Sequence, residues 1–182
     1  AVGGTSAACG PTLGGITASA SGGGPANEAQ ASALPGQTIT LTGSALDLTT
    51  EVVFVTIDAD GNRADVVVRP RVVNSEGTSA QAIVPVNAVS GEVRVLGSAT
   101  AIPLQIIPVI TDVQVESVAA DGSSAQLLIS GLGFVEGENS TYRFGSTVVL
   151  DSGTNTGPDV QARYDAQGHY IATGSVRLTV PL

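Results

Sequence analysis

An all-β protein, organised as two tandem β-sandwiches joined by a short proline-containing linker, is what this 182-residue sequence predicts. The first observation behind this is a repeat. Gly36-Gln37-Thr38-Ile39-Thr40-Leu41-Thr42-Gly43 is echoed by Ser124-Ala125-Gln126-Leu127-Leu128-Ile129-Ser130-Gly131, and each block is followed by a strand ending in Phe and later by an apolar-Val-Pro. The paired landmarks Gly43 and Gly131, Phe54 and Phe144, Pro85 and Pro181 keep their order at spacings of 88, 90 and 96 residues, as expected of related units with loop insertions in the second. The second observation is punctuation: 23 glycines and 9 prolines interrupt runs rich in Val, Ile and Thr, the pattern of many short strands joined by tight turns. The third is that no segment longer than a turn carries a helical period.

Residues 1–35 are rich in Gly, Ala and Ser, with a break at Gly22-Gly23-Gly24-Pro25 and a short strand expected over residues 16–20. From Gln37 the alternation is strict, because Ile39 and Leu41 share one face while Thr38, Thr40 and Thr42 share the other. Residues 51–57 form the next strand, and Asp58-Ala59-Asp60-Gly61-Asn62 has the composition of a hairpin turn into residues 64–69. Residues 71–74, 79–84 and 91–96 supply further strands, each bounded by Gly, Ser, Asn or Pro. Roughly seven strands in about 75 residues is the density of an immunoglobulin-like sandwich.

The segment 102–110 joins the repeats. Its apolar residues, with Pro103 and Pro108, predict a stiff connection in which the last strand of one unit runs almost directly into the first of the next. Residues 111–118 alternate again, Asp121-Gly122 makes a turn, residues 125–131 repeat the earlier strand, and residues 140–150 form a hairpin around Gly145. A polar loop follows over 151–159, and residues 176–180 are the last strand.

Composition narrows the function. A hydrophobic content of 42% supports a real core, yet aromatics are only 3% with no Trp or Met, so Val, Leu, Ile and Ala must fill it, and these suit a thin sandwich. Sixteen acidic residues against seven basic ones, all Arg, give a net charge of −9, which disfavours nucleic acid as a partner and disfavours a polybasic membrane contact. No stretch approaches the roughly 20 apolar residues that span a bilayer as a helix, so direct membrane insertion is not expected. With no Lys, an internal Lys–Asn or Lys–Asp cross-link is impossible, and the single Cys9 cannot make an internal disulfide. Stability is therefore expected from packing and strand pairing alone.

These residues carry a resemblance. A G-x-x-apolar-x-apolar-x-G strand, a strand ending in Phe, and an apolar-Val-Pro before a G-x-V-x-V strand resemble the IPT/TIG family of immunoglobulin-like domains. The first copy has Gly36 to Gly43, Val52 to Phe54, Ile83-Val84-Pro85 and Gly91-Glu92-Val93-Arg94-Val95. The second has Gln126 to Gly133 with Phe134, Tyr142-Arg143-Phe144-Gly145 and Thr179-Val180-Pro181. At the position of Gly131-Leu132-Gly133-Phe134 the first copy departs, with Ser44-Ala45-Leu46 after Gly43. Gly43, Gly131, Gly133, Pro85, Pro181, Pro103 and Pro108 are the expected structural positions.

The resemblance implies one or two more strands after each Val-Pro, a G-x-V-x-V strand and a closing strand. The expected division is residues 1–10 as a closing strand of a preceding or neighbouring domain, 11–107 as the first domain, and 108–182 as a second domain lacking its last strands. Val2, Gly3, Gly4, Thr5 and Ser6 are the expected inter-domain or inter-subunit strand. A second unit so divided presents an unpaired sheet edge, and such edges seek partners.

Chemical sites are sparse. Asp58, Asp60 and Asp65 cluster oxygen ligands suited to calcium, but Gly61 falls one place too early for a helix-loop-helix calcium loop and no terminal Glu follows, so a plain hairpin turn is preferred. No cofactor other than calcium at that cluster is a candidate. Glu136-Gly137-Glu138-Asn139 is read as a second acidic loop. His169, the lone histidine, has no nucleophile-elbow pattern to serve, and one His with one Cys does not make a zinc site, so the chain is expected not to be an enzyme. Tyr164 and Tyr170 are read as a cross-strand pair rather than a sugar platform, and Cys9 as a small buried or linker residue rather than a reactive thiol. The expectation is a structural or adhesive repeat segment of a bacterial extracellular fibre or giant cell-surface protein, partnered by neighbouring copies in a homopolymer or tandem array. The alternative is a non-catalytic carbohydrate-binding or spacer module of a secreted polysaccharide-acting enzyme.

Overall fold

The computed structural model describes residues 9–57, 62–135, 140–151, 157–164 and 170–182. Among them there is no helix, and the chain is all-β with several sheets. The strands are β1 (Thr12–Thr17), β2 (Ala31–Ala33), β3 (Thr38–Ser44), β4 (Val52–Ile57), β5 (Arg63–Val68), β6 (Val72–Val73), β7 (Ser79–Ile83), β8 (Gly91–Val95), β9 (Ala101–Ile106), β10 (Val109–Val118), β11 (Ser124–Leu132), β12 (Thr141–Phe144), β13 (Thr147–Leu150), β14 (Asp159–Tyr164) and β15 (Tyr170–Pro181).

The first nine strands form two sheets of orders β1-β3-β7-β6 and β2-β9-β8-β4-β5. With β1, β3, β4, β6, β7, β8 and β9 taken in turn as A to G, these are the A-B-E-D and G-F-C sheets of an immunoglobulin-type Greek key. The alternation in Thr38–Ser44 is realised directly: Ile39 and Leu41 are fully buried and the threonines are not. One hydrophobic cluster draws on both sheets, with Leu13, Ile39, Leu41, Ala80 and Ala82 from the first and Val52, Phe54, Val93, Val95, Leu104 and Ile106 from the second. It is filled by aliphatic residues around one Phe, as the low aromatic content requires.

The later strands repeat part of this plan. The order β10-β11-β15-β14 has the chain-order pattern of β1-β3-β7-β6, and the hairpin β12–β13 stands where β4–β5 stood. A second cluster, sharing no residue with the first, gathers Ala125, Leu127, Ile129, Phe134, Tyr142, Val176, Leu178 and Val180. The Phe134 and Tyr142 rings lie 6.3 Å apart, centroid to centroid. Strands β2, β8 and β9 have no counterpart among the described residues of 109–182.

Several sequence expectations change. The first strand is Thr12–Thr17 rather than residues 16–20, because its position is set by pairing with β3. Ala31–Ala33, to which no element was assigned, is a three-residue strand parallel to β9. Residues 102–106, read as part of the linker, belong to β9, so the connection to β10 is Ile107 and Pro108 alone. Pro103 fits within β9 because β2 pairs only with Leu104, Gln105 and Ile106, which leaves the proline beyond that ladder. Strand β14 extends the hairpin arm expected at Tyr164 back to Asp159, and β15 starts at the other arm, Tyr170, and runs on without a break through the last strand expected over 176–180.

Glycine accounts for the equivalence of the two copies. A Cβ at Gly43 would lie 1.9 Å from the Thr12 carbonyl oxygen, and one at Gly131 would lie 1.8 Å from that of Val109. Each glycine thus admits the close approach of the preceding strand, and each stands beside a bulge in that strand. Two residues further on, Ala45 and Gly133 both have positive φ, 53° and 81°, and they are followed by the buried Leu46 and Phe134. The backbone conformation is kept even where the first copy has alanine in place of glycine.

Candidate interaction surface

A cleft of about 240 Å³ lies between Pro11, Ala45, Asp47, Thr49, Thr50, Glu51 and Leu96. One of its two carboxylates is already engaged: Asp47 accepts from the Thr49 N–H and hydroxyl, both at 2.7 Å, and from the Thr50 hydroxyl at 3.2 Å. These bonds, the Thr49 hydroxyl first, hold the Asp47 pKa below its ordinary value. The arrangement is an Asx-type turn closing the loop between β3 and β4. Among the described residues no group of three or more His, Cys, Asp or Glu side chains is placed to hold a metal ion.

The distinctive surface is β10. Every residue of this ten-residue strand after Val109 is exposed. Its register nevertheless puts Ile110 opposite Gly131, Val113 opposite Ile129, Val115 opposite Leu127 and Val118 opposite Ala125. Directly opposed residues share a face, so these four apolar side chains lie on the same side of the sheet as the buried Leu127 and Ile129. The internal repeat makes the comparison quantitative. With Gly43 matched to Gly131, Leu13 corresponds to Ile110 and Ile16 to Val113. Leu13 is 2% exposed and Ile110 is 55% exposed; Ile16 packs against the first cluster, while Val113 is 51% exposed.

What covers β1 is visible. β1 lies against β8 and β9, and the Leu13 N–H donates to Ser98 Oγ in the turn between those strands at 3.1 Å. β10 has no such cover among the described residues. β4 is flanked by both β5 and β8, whereas the strand pairing shown for β12 among the described residues is with β13. On the other face of the sheet, Arg177 reaches across to Glu116 as a two-pronged ion pair, its Nη2 donating to Oε1 at 2.8 Å. This hydrogen bond lowers the Glu116 pKa from its ordinary value.

The sequence-predicted positions distribute as follows. Gly43, Gly131 and Gly133 are at the close strand approaches and the left-handed turn described above. Pro85 follows β7 and opens the turn in which the Ala88 N–H donates to the Pro85 carbonyl at 3.0 Å; Pro181 ends β15. Pro108 abuts the turn at Gly133, where an added Cβ would be 3.4 Å from the Pro108 Cα and 3.1 Å from the Pro35 ring. Asp65 is ion-paired with Arg94 across β5 and β8. Asp58 and Asp60 lie outside the described residues, as do Val2, Gly3, Gly4, Thr5, Ser6, Glu136 to Asn139 and His169. The backbone register sets Tyr164 opposite Tyr170, the expected cross-strand arrangement. Cys9 is exposed and its thiol free, which favours the linker reading over a buried one.

The exposed row on β10 was not foreseen. Its alternation was legible, but alternation promises a buried face only where another sheet lies over it. No protein-family model matches the chain, and no curated protein matches it significantly.

Proposed function

We propose that this chain is a structural or adhesive repeat segment of a bacterial extracellular fibre or giant cell-surface protein, in which immunoglobulin-like sandwiches are held stiffly in line and meet through sheet edges. The observation that carries the reading is the connection between β9 and β10. It consists of Ile107 and Pro108, and it is anchored at both residues: the Ile107 N–H donates to the Ala33 carbonyl at 2.9 Å, and Pro108 lies against the turn at Gly133. A linker this short, lacking Gly and Ser, transmits orientation and tension instead of acting as a tether. The acidic, Lys-free composition supports the same role, since it disfavours polyanion binding.

Small-angle scattering of the full chain tests this. A single compact body of this length has a radius of gyration of about 16 Å. Two sandwiches in line exceed that clearly, with a scattering profile described by one rigid elongated particle. A radius near the compact value, or a profile requiring a broad ensemble of hinge angles, would overturn the reading. Specific recognition of sugars on a glycan array would instead support the accessory-module role.

A further inference from the structure

Strand β10 is open along its edge as well as on its apolar face. It ends the order β10-β11-β15-β14, and no described strand lies on its other side. Every residue from Ile110 to Val118 is exposed, so the edge is reachable along its length. An exposed strand edge of this length, with apolar side chains beside it, is a template for pairing with another strand.

The apolar positions on β10 are a palindrome. Ile110 and Val118 each lie four residues from Gln114, and Val113 and Val115 each lie one residue from it. The irregularities of register fall between the inner and outer members on both sides, between Ile110 and Asp112 and between Val115 and Ser117, and they keep all four on one face. A strand laid antiparallel beside its own copy about Gln114 therefore sets Val113 against Val115 and Ile110 against Val118, while Gln114 faces its counterpart. Such self-matching is what a two-fold contact between identical chains requires. Asp112 falls opposite Glu116 of the second copy, the unfavourable pair of this register. Glu116 is already held by Arg177 of its own sheet, which leaves Asp112 as the charge that the contact must tolerate.

We infer that β10 is a homotypic docking edge: two copies of this chain pair antiparallel through β10 about a two-fold axis at Gln114, joining their four-stranded sheets edge to edge and merging their apolar rows. Main-chain hydrogen bonds supply affinity, and the valine and isoleucine pairs supply register. A contact of this symmetry closes with two copies, so it joins chains side by side and does not itself lengthen a fibre. The inference rests on the proposed role in that it names the sheet edge through which sandwiches meet.

Sedimentation equilibrium of the 182-residue chain, carrying Cys9→Ser to exclude linkage through that exposed thiol, reads the association. The expected species is a dimer of 18.0 kDa chains, and it tightens as salt screens the net charge of −9 on each copy. Val113→Asp, at a position exposed in the single chain, weakens the dimer at least about tenfold by placing two carboxylates in the apolar row. Asp112→Asn strengthens it at least about twofold. In the same Cys-free background, Gln114→Cys forms an interchain disulfide on mild oxidation, whereas Asp112→Cys, about 13 Å from its counterpart in this register, does not. A chain that stays monomeric at millimolar concentration, or a dimer that Val113→Asp leaves intact, would overturn the inference. So would cross-linking through Val113→Cys but not Gln114→Cys, the mark of sheets stacked face to face. Scattering from the monomer, at dilution or as Val113→Asp, separates this outcome from the proposed role: a rigid elongated monomer keeps that role even if the pairing fails, and a compact one removes it even if the pairing holds.

Discussion

Replacing Gly43 and Gly131 by alanine, one at a time, separates packing from pairing. The local insult is nearly identical, a methyl placed 1.9 Å or 1.8 Å from a backbone carbonyl oxygen of the preceding strand. Neither site can absorb it without moving that strand. For Gly43→Ala the strand is β1, which carries Leu13 at 2% exposure. Displacing it forfeits about 2–3 kcal/mol of leucine burial, and two ladder hydrogen bonds at about 1 kcal/mol each bring the loss to about 4–5 kcal/mol. For Gly131→Ala the strand is β10, whose equivalent Ile110 is already 55% exposed. The ladder is lost, about 2 kcal/mol; the new methyl also meets Phe134 Cε2 at 3.0 Å, a contact that a few tenths of an ångström of ring movement relieves. Native-state hydrogen exchange across a urea series gives both values strand by strand, which avoids assuming a single unfolding transition. The expected difference of about 2–3 kcal/mol comes from Leu13 burial. Equal losses at the two glycines would refute the reasoning, because they would mean that β10 is as firmly docked as β1.

Three further outcomes follow from the same structure. Ala45→Gly stabilises the chain by about 1 kcal/mol, because alanine at φ 53° bears a left-handed penalty that glycine does not; the urea midpoint reads it. Gly133→Ala is destabilising by at least about 1 kcal/mol, since φ is 81° and the new methyl meets the Pro35 ring, and the loss appears first in exchange of the amides around Phe134. The Glu116–Arg177 pair sets an acid dependence. The folded pKa of Glu116 is lowered from 4.5, so the unfolded chain binds more protons in that range; the stabilisation is complete above pH 4.5 and disappears as pH falls through the lowered folded value. Glu116→Gln removes this component of the acid-unfolding profile, as circular dichroism across the acid range would show.

Much of the fold was legible because it is written locally. The Thr38 to Thr42 alternation, the hairpin at Gly145 and the glycine pair 43 and 131 all specify their surroundings through period, turn chemistry or the lack of a side chain. What was missed depends on distant partners. Ala31–Ala33 is a strand only because Leu104 to Ile106 lies beside it, and Pro103 disguised β9 as linker because its tolerance rests on where β2 ends. The uncovered row on β10 fails for the same reason: Val113 and Val115 have the spacing of a buried face, and only the identity of the facing strands decides whether they are buried. The left-handed position at Ala45 was hidden by its side chain and became visible through its counterpart, Gly133.

Side-chain footprinting of the unmodified chain as a monomer tests the central claim, that one sandwich plan occurs closed in the first copy and open in the second. The account predicts strong modification of Ile110, Val113 and Val115 and protection of Leu13, although Leu13 and Ile110 occupy equivalent places beside Gly43 and Gly131. Equal protection of Leu13 and Ile110 in the monomer would contradict it.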